Sequence, residues 1–329
     1  MKLPRRQFLH LAAGAAALPA VWRIARAQAY PTRPITMVVP FPAGGSTDTL
    51  ARIISERLRM ALGQPVIIEN VGGASGALGV GRVARAPADG YTLSIGTLST
   101  HCINGAVFSL PFDVLNDFAP VAQLAVEPLL IVGRKDFPAK DLKEVINWLK
   151  ANPGKASQGN PGAGSTGHLT GLLFQRETGT RFQSVPYRGN ALAMQDLLSG
   201  QIDLMMEPSS NFTQQLRAGN FKPYAVAAKT RMATLPEIPT VDEAGLPGFH
   251  IPLWYGLWLP KGSPKDAIDR LNAAAVDTLA DPAIRARMMD VGLELPTRDE
   301  QTPAALGALQ KAEIEKWWPI IKAANVKPE

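Results

Sequence analysis

The chain alternates between short apolar runs and longer amphipathic segments. Residues 34–40 and 65–69 are short runs rich in β-branched side chains, which is typical of buried strands. Between them, apolar residues recur at helical spacing from Leu50 to Leu62, and Gly63 marks the end of that helix. The pattern therefore predicts a strand, a helix and a second strand in succession.

The same alternation continues along the rest of the chain. It predicts further strands at residues 91–95, 129–133, 155–158, 183–186, 202–206 and 222–228. It predicts further helices at residues 76–86, 140–152, 168–178, 191–198, 267–279, 283–291 and 303–318. We expect Pro319 to kink or interrupt the last helix, because proline lacks a backbone N–H. Strands that alternate with helices favour an α/β fold with parallel pairing.

The N-terminal segment has the form of an export signal. Residues 1–27 combine a charged start, a short apolar stretch and small-x-small sites that end at Ala27 and Ala29. The apolar stretch is shorter than the roughly 20 residues that a membrane span requires. Arg5 and Arg6 favour a twin-arginine signal, and an ordinary secretory leader is the alternative. The segment predicts a periplasmic protein whose leader is cleaved near Ala27 or Ala29.

Removal of the leader changes the charge balance. The whole chain has 34 Lys and Arg against 28 Asp and Glu, and five of the basic residues lie in the leader. The remaining chain is nearly neutral, so nucleic acid is not an expected partner. Cys102 is the single cysteine, which excludes an intrachain disulfide. About 300 residues remain, and a chain of this length usually folds as two domains.

Glycine- and serine-rich loops follow several of the predicted strands. These loops are residues 43–48, 96–101, 159–168 and 188–190. In open α/β sheets, ligands bind beyond the carboxyl ends of strands, where helix N-termini offer free N–H groups to an anion. Each loop alone is also compatible with a tight turn and a helix cap. Several together favour an anion-binding cradle.

Signatures of catalysis and of cofactors are weak. Residues 162–167 fit the pattern G-x-G-x-x-G, but the acidic residue that a dinucleotide site needs about 20 positions later is missing. The histidines His101, His168 and His250 lack the spacing of metal ligands. We therefore expect that the protein is not an enzyme and that it binds neither a cofactor nor a metal. An exported hydrolase built from Ser165, His168 and a distant acid remains an alternative.

Several motifs carry a specific family resemblance. Residues 30–35 (YPTRPI) and 38–48 (VVPFPAGGSTD) resemble the start of the mature Bug-type extracytoplasmic receptors. These receptors are the solute-binding components associated with tripartite tricarboxylate transporters. The likeness continues through residues 62–66, 88–93, 116–120, 185–189, 235–241, 243–248 and 315–317.

The resemblance implies a type II periplasmic-binding-protein fold, in which two α/β lobes close on a ligand in the cleft between them. We place the two chain crossings near Glu127 and His250. One lobe then comprises residues 28–127 plus 251–329, and the other comprises residues 128–250. The implied function is capture of a small carboxylate by a monomer, for the membrane components of a tripartite transporter. Presentation of the ligand to a membrane sensor kinase is the alternative, because both roles need the same cleft.

The resemblance also implies ligand contacts. In the first lobe these are Phe41, Ala43, Gly44, Ser46, Thr47 and Asp48, and in the third strand–helix loop Ser99, Thr100 and Asn104. In the second lobe they are Gly164, Ser165, Thr166 and His168.

Four further residues have open roles. Arg188, after Tyr187, either reaches a distal carboxylate or is a solvated charge. Glu207 opposes a second carboxylate and favours an amine or hydroxyl if it faces the cleft ionised. If it faces away from the cleft, it has no bearing on the ligand. For Trp254 and Tyr255, core packing is favoured over stacking on an aromatic ligand.

Overall fold

The computed structural model describes residues 30–323 and Val326. The predicted signal peptide, residues 1–27, lies outside the described residues. None of the helices in the described part combines the length and the apolarity of a membrane span.

The described chain forms a nine-stranded hydrogen-bonded sheet, in which eight strands follow the order β2-β1-β3-β9-β4-β7-β5-β6 and β8 pairs with β4 off this path. The strands are β1 (Ile35–Val39), β2 (Val66–Asn70), β3 (Thr92–Thr97), β4 (Phe118–Arg134), β5 (Ser157–Asn160), β6 (Gln183–Pro186), β7 (Leu204–Pro208), β8 (Phe221–Val226) and β9 (Pro252–Pro260).

Ten α-helices connect and cover these strands in the described chain. They are α1 (Ser46–Leu62), α2 (Ala77–Ala84), α3 (Asn104–Val107), α4 (Leu142–Ala151), α5 (Thr166–Thr178), α6 (Asn190–Leu198), α7 (Thr213–Arg217), α8 (Lys265–Ala280), α9 (Pro282–Asp290) and α10 (Pro303–Ala323). Helix α10 continues past Pro319, so the expectation of an interruption there is wrong. Trp317 and Ile321, on either side of the proline, are buried and hold both parts of the helix against the core.

Strand β4 belongs to two parts of the sheet. Its residues 118–128 pair with β9, and its residues from Leu129 onward pair with β7 and β8. We call β2, β1, β3, β9 and the first part of β4 the first sheet. The second part of β4 with β7, β5, β6 and β8 is the second sheet. Pairing is parallel among β1, β2 and β3 and among β5, β6 and β7, as predicted, but antiparallel around β4 and β9.

Close packing in the first sheet depends on two glycines. Gly96 of β3 and Gly256 of β9 face each other in the register. The rings of His101 and Trp258 stack beside them, with centroids 3.9 Å apart and planes 17° apart. A Cβ at either glycine would overlap one of these rings. The glycines therefore make room for the stacked rings of His101 and Trp258.

A buried carboxyl group lies where β4 passes from one sheet to the other. Glu127 accepts hydrogen bonds from Tyr255 Oη at 2.5 Å, from the Ser210 backbone N–H at 2.5 Å and from Ser209 Oγ at 3.2 Å. Tyr255 belongs to β9, whereas both serines follow β7. Burial raises the pKa of Glu127 to about 7, although these hydrogen bonds oppose the shift. This one side chain thus links the two sheets at their junction.

Candidate functional site

A cavity of about 290 Å³ lies between the strand ends of the two sheets. From the first sheet and its loops it is lined by Phe41, Pro42, Ala43, Gly45, Ser46, Thr47, Thr97, Ser99 and Leu253. From the second sheet and its loops it is lined by Pro161, Ser165, Thr166, Arg188, Gly189, Asn190, Ala191, Leu192, Glu207 and Pro208. We call this space the inner cavity. Its volume is at the lower end of the range for small-molecule sites.

A wider space adjoins the inner cavity. It has a volume of about 870 Å³ and shares Phe41, Pro42, Pro161, Arg188 and Gly189 with the inner cavity. On this side Ser75 Oγ donates a hydrogen bond to the carbonyl oxygen of Ala163, which links the loop after β2 to the loop before α5. The two halves of the molecule therefore touch beside the cavity.

The loop between β1 and α1 is held by a buried carboxylate. Asp48 accepts hydrogen bonds from the Gly44 N–H at 2.9 Å, Arg52 Nε at 2.8 Å and Asn70 Nδ2 at 3.0 Å. Burial by itself raises the pKa of Asp48, but these bonds outweigh it and the pKa lies below its ordinary value. Asp48 and Gly44 do not line the inner cavity. They shape the loop that presents Ala43 and the first turn of α1.

The first turn of α5 forms the opposite wall. Ser165 is the N-cap residue, and its Oγ accepts a hydrogen bond from the His168 N–H at 3.2 Å. Gly164 adopts a left-handed backbone (φ 78°), and its N–H donates to His168 Nδ1 at 3.4 Å. Ser165 and Thr166 line the cavity, whereas Gly164 and His168 lie behind them. Gly164 and His168 support the first turn of α5 from behind through these hydrogen bonds.

The loop after β3 contributes hydroxyl groups. Thr97 and Ser99 line the cavity and lie 3.1 Å apart, oxygen to oxygen. Thr100 is buried behind them, and its Oγ1 accepts from the Thr97 N–H at 2.9 Å. Asn104 is also buried, and its Nδ2 donates to the Ser75 carbonyl at 3.0 Å. Thr100 and Asn104 thus support the wall and the contact between the two halves from outside the lining.

The segment before α6 forms the outer rim. Arg188 lines both spaces and is exposed. Tyr187 lines only the wider space, and its hydroxyl donates to Asp196 Oδ2 at 2.7 Å. Asn190 begins α6 and points to Glu207, the acidic residue of the inner cavity.

Glu207 faces the cavity from β7 and is only 2% exposed. Its Oε2 accepts a hydrogen bond from Asn190 Nδ2 at 3.0 Å. Burial raises the pKa of Glu207 to about 8, with Asn190 opposing the shift and the charge of Glu127 adding to it. Of the two alternatives left open by the sequence, the structure shows the one in which the side chain faces the cleft.

The residues expected from the sequence divide into two groups. Those that line the inner cavity are Phe41, Ala43, Ser46, Thr47, Ser99, Ser165, Thr166, Arg188 and Glu207. Those that lie behind or beside it are Gly44, Asp48, Thr100, Asn104, Gly164, His168 and Tyr187. Contact with a ligand stays a prediction for both groups.

Sequence reasoning missed other lining residues. Leu253 was missed because β9 was not predicted, and Pro208 and Asn190 were not singled out as contacts. The available signal for Asn190 was its position. It ends the candidate loop 188–190 and directly precedes the predicted helix at residues 191–198. Trp254 and Tyr255 are buried in β9 and do not line the cavity, in agreement with core packing.

Three helix N-termini meet at this cavity. The first turns of α1, α5 and α6 all contribute lining residues. Each N-terminus has backbone N–H groups without helical partners and a partial positive charge. Hydroxyl groups of Ser46, Thr47 and Ser99 add further donors. No group of three or more potential metal ligands occurs among the described residues. The arrangement suits a small anion.

Comparison with known families agrees with this arrangement. The family model described as "Tripartite tricarboxylate transporter family receptor" matches residues 50–326. The chain belongs to this family. The resemblance to the Bug-type receptors is therefore confirmed, and the protein is a member of a family of solute-binding receptors.

Solved structures of this receptor type superimpose closely on the chain. The periplasmic binding protein BugD is 40% identical, with a TM-score of 0.86 over 91% of this chain and 100% of its own. MatC from Rhodopseudomonas palustris, with bound malate, is 39% identical, with a TM-score of 0.85 over 89% and 100%. R. palustris Rpa4515, with adipate, is 34% identical, with a TM-score of 0.87 over 91% and 100%. These matches confirm the predicted type II periplasmic-binding-protein fold.

Proposed function

We propose that this receptor captures a small carboxylate in the inner cavity and delivers it to the membrane components of a tripartite transporter. The observation that carries the proposal is the meeting of three helix N-termini at one cavity between the two sheets. Two relatives whose structures contain malate and adipate support a carboxylate as the ligand. The family description supports a transporter as the partner.

The carboxylate would lie between the first turns of α1 and α5. Backbone N–H groups of both turns and the hydroxyls of Thr47, Ser165 and Thr166 would donate to its oxygens. A hydrogen bond to a charged group contributes roughly 1.5–3 kcal/mol. Three or four such bonds approach the roughly 8 kcal/mol of a micromolar site.

Ligand capture would involve closure of two lobes. We propose the division inferred from the sequence, with residues 28–127 plus 251–329 in one lobe and 128–250 in the other. Strand β4 passes from one sheet to the other at Pro128 and Leu129, and β9 begins at Pro252. These positions lie within a few residues of the proposed crossings, which supports the division.

The site of action would be the periplasm. The family resemblance to BugD, a periplasmic binding protein, supports this location. We propose that residues 1–27 direct export and are removed near Ala27 or Ala29. Mass spectrometry of the protein purified from the periplasm tests the cleavage position.

A thermal-shift screen of the refolded mature chain tests the ligand class. The screen compares mono-, di- and tricarboxylates with uncharged amides of the same acids. A carboxylate at about 100 times its Kd adds about 2.7 kcal/mol to the free energy of unfolding. That gain raises Tm by several degrees in a chain of this size, and the matched amide should have no effect.

A matched pair of variants locates the site. Thr47→Val removes a hydroxyl at the cavity, and Thr49→Val makes the same change two residues later in α1, away from the lining. We expect Thr47→Val to weaken binding of the carboxylate and Thr49→Val to leave it unchanged. Equal shifts with acids and amides, or equal affinities in both variants, would overturn the proposed function.

A further inference from the structure

The turn between β2 and α2 contacts the loop before α5 across the wider space. Ser75, in this turn, lines the wider space but is only 8% exposed. Its Oγ donates a hydrogen bond to the carbonyl oxygen of Ala163, which is also buried. Ser75 belongs to the proposed first lobe and Ala163 to the second. This bond therefore joins the two lobes beside the cavity.

The backbone of this turn has a conformation that residues other than glycine rarely adopt. Ala74 and Ser75 have φ angles of 46° and 49°, and they are the two non-glycine residues with a positive φ in the described chain. Such a conformation persists where the surrounding contacts determine the backbone. Here Asn104 Nδ2, from the same lobe, donates to the Ser75 carbonyl at 3.0 Å. The turn therefore presents the Ser75 hydroxyl in a fixed direction.

Two glycines of the second lobe allow the lobes to approach closely at this point. A Cβ at Gly162 would lie 3.4 Å from Ser75 Oγ. A Cβ at Gly164 would lie 2.8 Å from the ring of Phe108 and 3.0 Å from Asn104 Oδ1, both in the first lobe. A larger residue at Gly164 would therefore push the lobes apart, and both sides of the contact have a shape that suits it.

The contact acts on a wall of the inner cavity. Ala163 lies two residues before Ser165, the N-cap residue of α5, whose first turn is where we place the carboxylate of the ligand. Ser75 lines the wider space but not the inner cavity, so it would not touch that carboxylate. Glu127 joins the two sheets at the crossing of β4. The lobes are thus connected both at the crossing and beside the cavity.

We propose that Ser75 is the latch of the closed receptor: its hydrogen bond to Ala163 stabilises the closed arrangement of the lobes and slows the release of the bound carboxylate. The inference rests on the proposed function, because it assumes that the carboxylate lies between the two lobes. Ser75 is a positioning residue, since it acts on the ligand only through the position of the second lobe. A hydrogen bond between neutral groups changes an equilibrium by about two- to tenfold, so the latch slows release without preventing it.

Small-angle X-ray scattering of the mature chain without ligand tests the latch directly. Ser75→Ala removes the hydroxyl, so we expect the ratio of open to closed molecules to increase about two- to tenfold. The radius of gyration should increase accordingly. Ser55→Ala removes a hydroxyl that bonds to the Arg52 carbonyl within α1, and this control should scatter like the unmodified protein.

Release rates of malate and adipate, the acids present in two related structures, test the latch in the liganded protein. Surface plasmon resonance separates association from dissociation. For each acid that binds, we expect Ser75→Ala to raise koff by the same factor, about two- to tenfold, with little change in kon. Damage to the cavity itself would instead lower kon and would affect the two acids by different factors.

A second variant separates the hydroxyl from the backbone. Ser75→Gly also removes the hydroxyl, but glycine adopts a positive φ without steric cost. Faster release in both Ser75→Ala and Ser75→Gly would assign the effect to the hydroxyl. Recovery of slow release in Ser75→Gly would assign the effect to the backbone and would overturn the latch.

The outcomes separate this inference from the proposed function. Unchanged release of a bound acid in Ser75→Ala, or unequal changes for the two acids, would overturn the latch and leave the carboxylate receptor. Failure of malate, adipate and every other acid of the thermal-shift screen to bind would overturn the proposed function. Scattering of the ligand-free chain would then decide on the latch alone, since an unchanged radius of gyration in Ser75→Ala contradicts it.

Discussion

At the scale of single residues, Asp48 organises the loop between β1 and α1 without lining the cavity. Its carboxylate holds the Gly44 N–H, Arg52 and Asn70 together. Ionised Asp48 therefore stabilises the shape of the loop. A residue can thus control a binding site through backbone geometry alone.

We expect Asp48→Asn to lower the free energy of unfolding by about 1–3 kcal/mol, because bonds to a charged acceptor become weaker or are lost. The pKa of Asp48 is lowered in the folded protein, so its stabilisation is full above the unfolded pKa of about 3.9 and is lost as pH falls. Urea unfolding at neutral pH measures the effect. Glu56→Gln, in an exposed ion pair of the same helix, is the control and should change little.

Gly167, in the first turn of α5, allows Glu207 to approach the helix. A Cβ at this position would overlap Glu207 Oε1. We expect Gly167→Ala to displace the carboxyl group and to reduce ligand affinity, although alanine favours the helix by about 1 kcal/mol. Calorimetry of the ligand and thermal unfolding measure the two effects. Gly307→Ala in α10, where a Cβ meets only ordinary contacts, should leave affinity unchanged; a similar loss there would contradict the explanation.

At the scale of elements, the β3–β9 pair depends on the small residues at its centre. A Cβ at Gly96 would overlap the ring of His101, which stacks on Trp258. We expect Gly96→Ala to lower the free energy of unfolding by about 1–3 kcal/mol through overpacking. Denaturant unfolding checks this. His101→Ala should relieve the overlap, so the double variant should lose less than the sum of the two single variants; additive losses would refute the mechanism.

The elements that the sequence predicted well are those set by local patterns. The helix through Leu50–Leu62 and its end at Gly63 follow from apolar spacing and a terminal glycine, and the structure extends this helix back to Ser46 with Gly45 as the N-cap. The strand β9 was missed because residues 252–260 contain no β-branched side chain and include Gly256, unlike the apolar runs that predicted β1 and β2. The 17-residue length of β4 was missed because its first half is defined by pairing with the distant β9. Long-range pairing of this kind leaves no local periodicity.

In the candidate site, too, features set by local sequence were predicted and features set by long-range contacts were not. The glycine- and serine-rich loops 43–48 and 159–168 are local patterns that marked the two segments, and the family resemblance implied Ser46, Thr47, Ser165 and Thr166 within them, all of which line the cavity. The pairing of Asn190 with Glu207 joins two segments that are distant in sequence. Only the fold brings that pair together, and with it the raised pKa of Glu207.

At the scale of the whole molecule, two buried carboxyl groups link stability to pH. Burial raises the pKa of Glu127 to about 7 and that of Glu207 to about 8, whereas the unfolded value is about 4.3. The stabilisation from their protonated forms is complete below the unfolded pKa and is lost as pH rises through the folded values. We expect the Tm of the unliganded protein to fall between about pH 5.5 and 8.5.

Each group contributes at most about 1.4 kcal/mol per pH unit. Thermal unfolding across this range measures the slope, and Glu127→Gln with Glu207→Gln should flatten it. The exposed Glu237→Gln should retain the slope of the unmodified protein. A Tm that rises over the same range would show that these carboxyl groups are ionised in the folded state.

The position of β9 between β3 and β4 also has a consequence for how the chain is made. The ribosome produces β9 after all eight other strands, yet it fills the centre of the first sheet. The strands of the second sheet are complete before β9 is translated, so this sheet is able to assemble first. Until the last strand arrives, β3 and the first part of β4 expose unpaired backbone edges, which are templates for aggregation. Translation that stops before residue 252 would therefore release a chain in which the second sheet is folded and the incomplete first sheet is prone to aggregation.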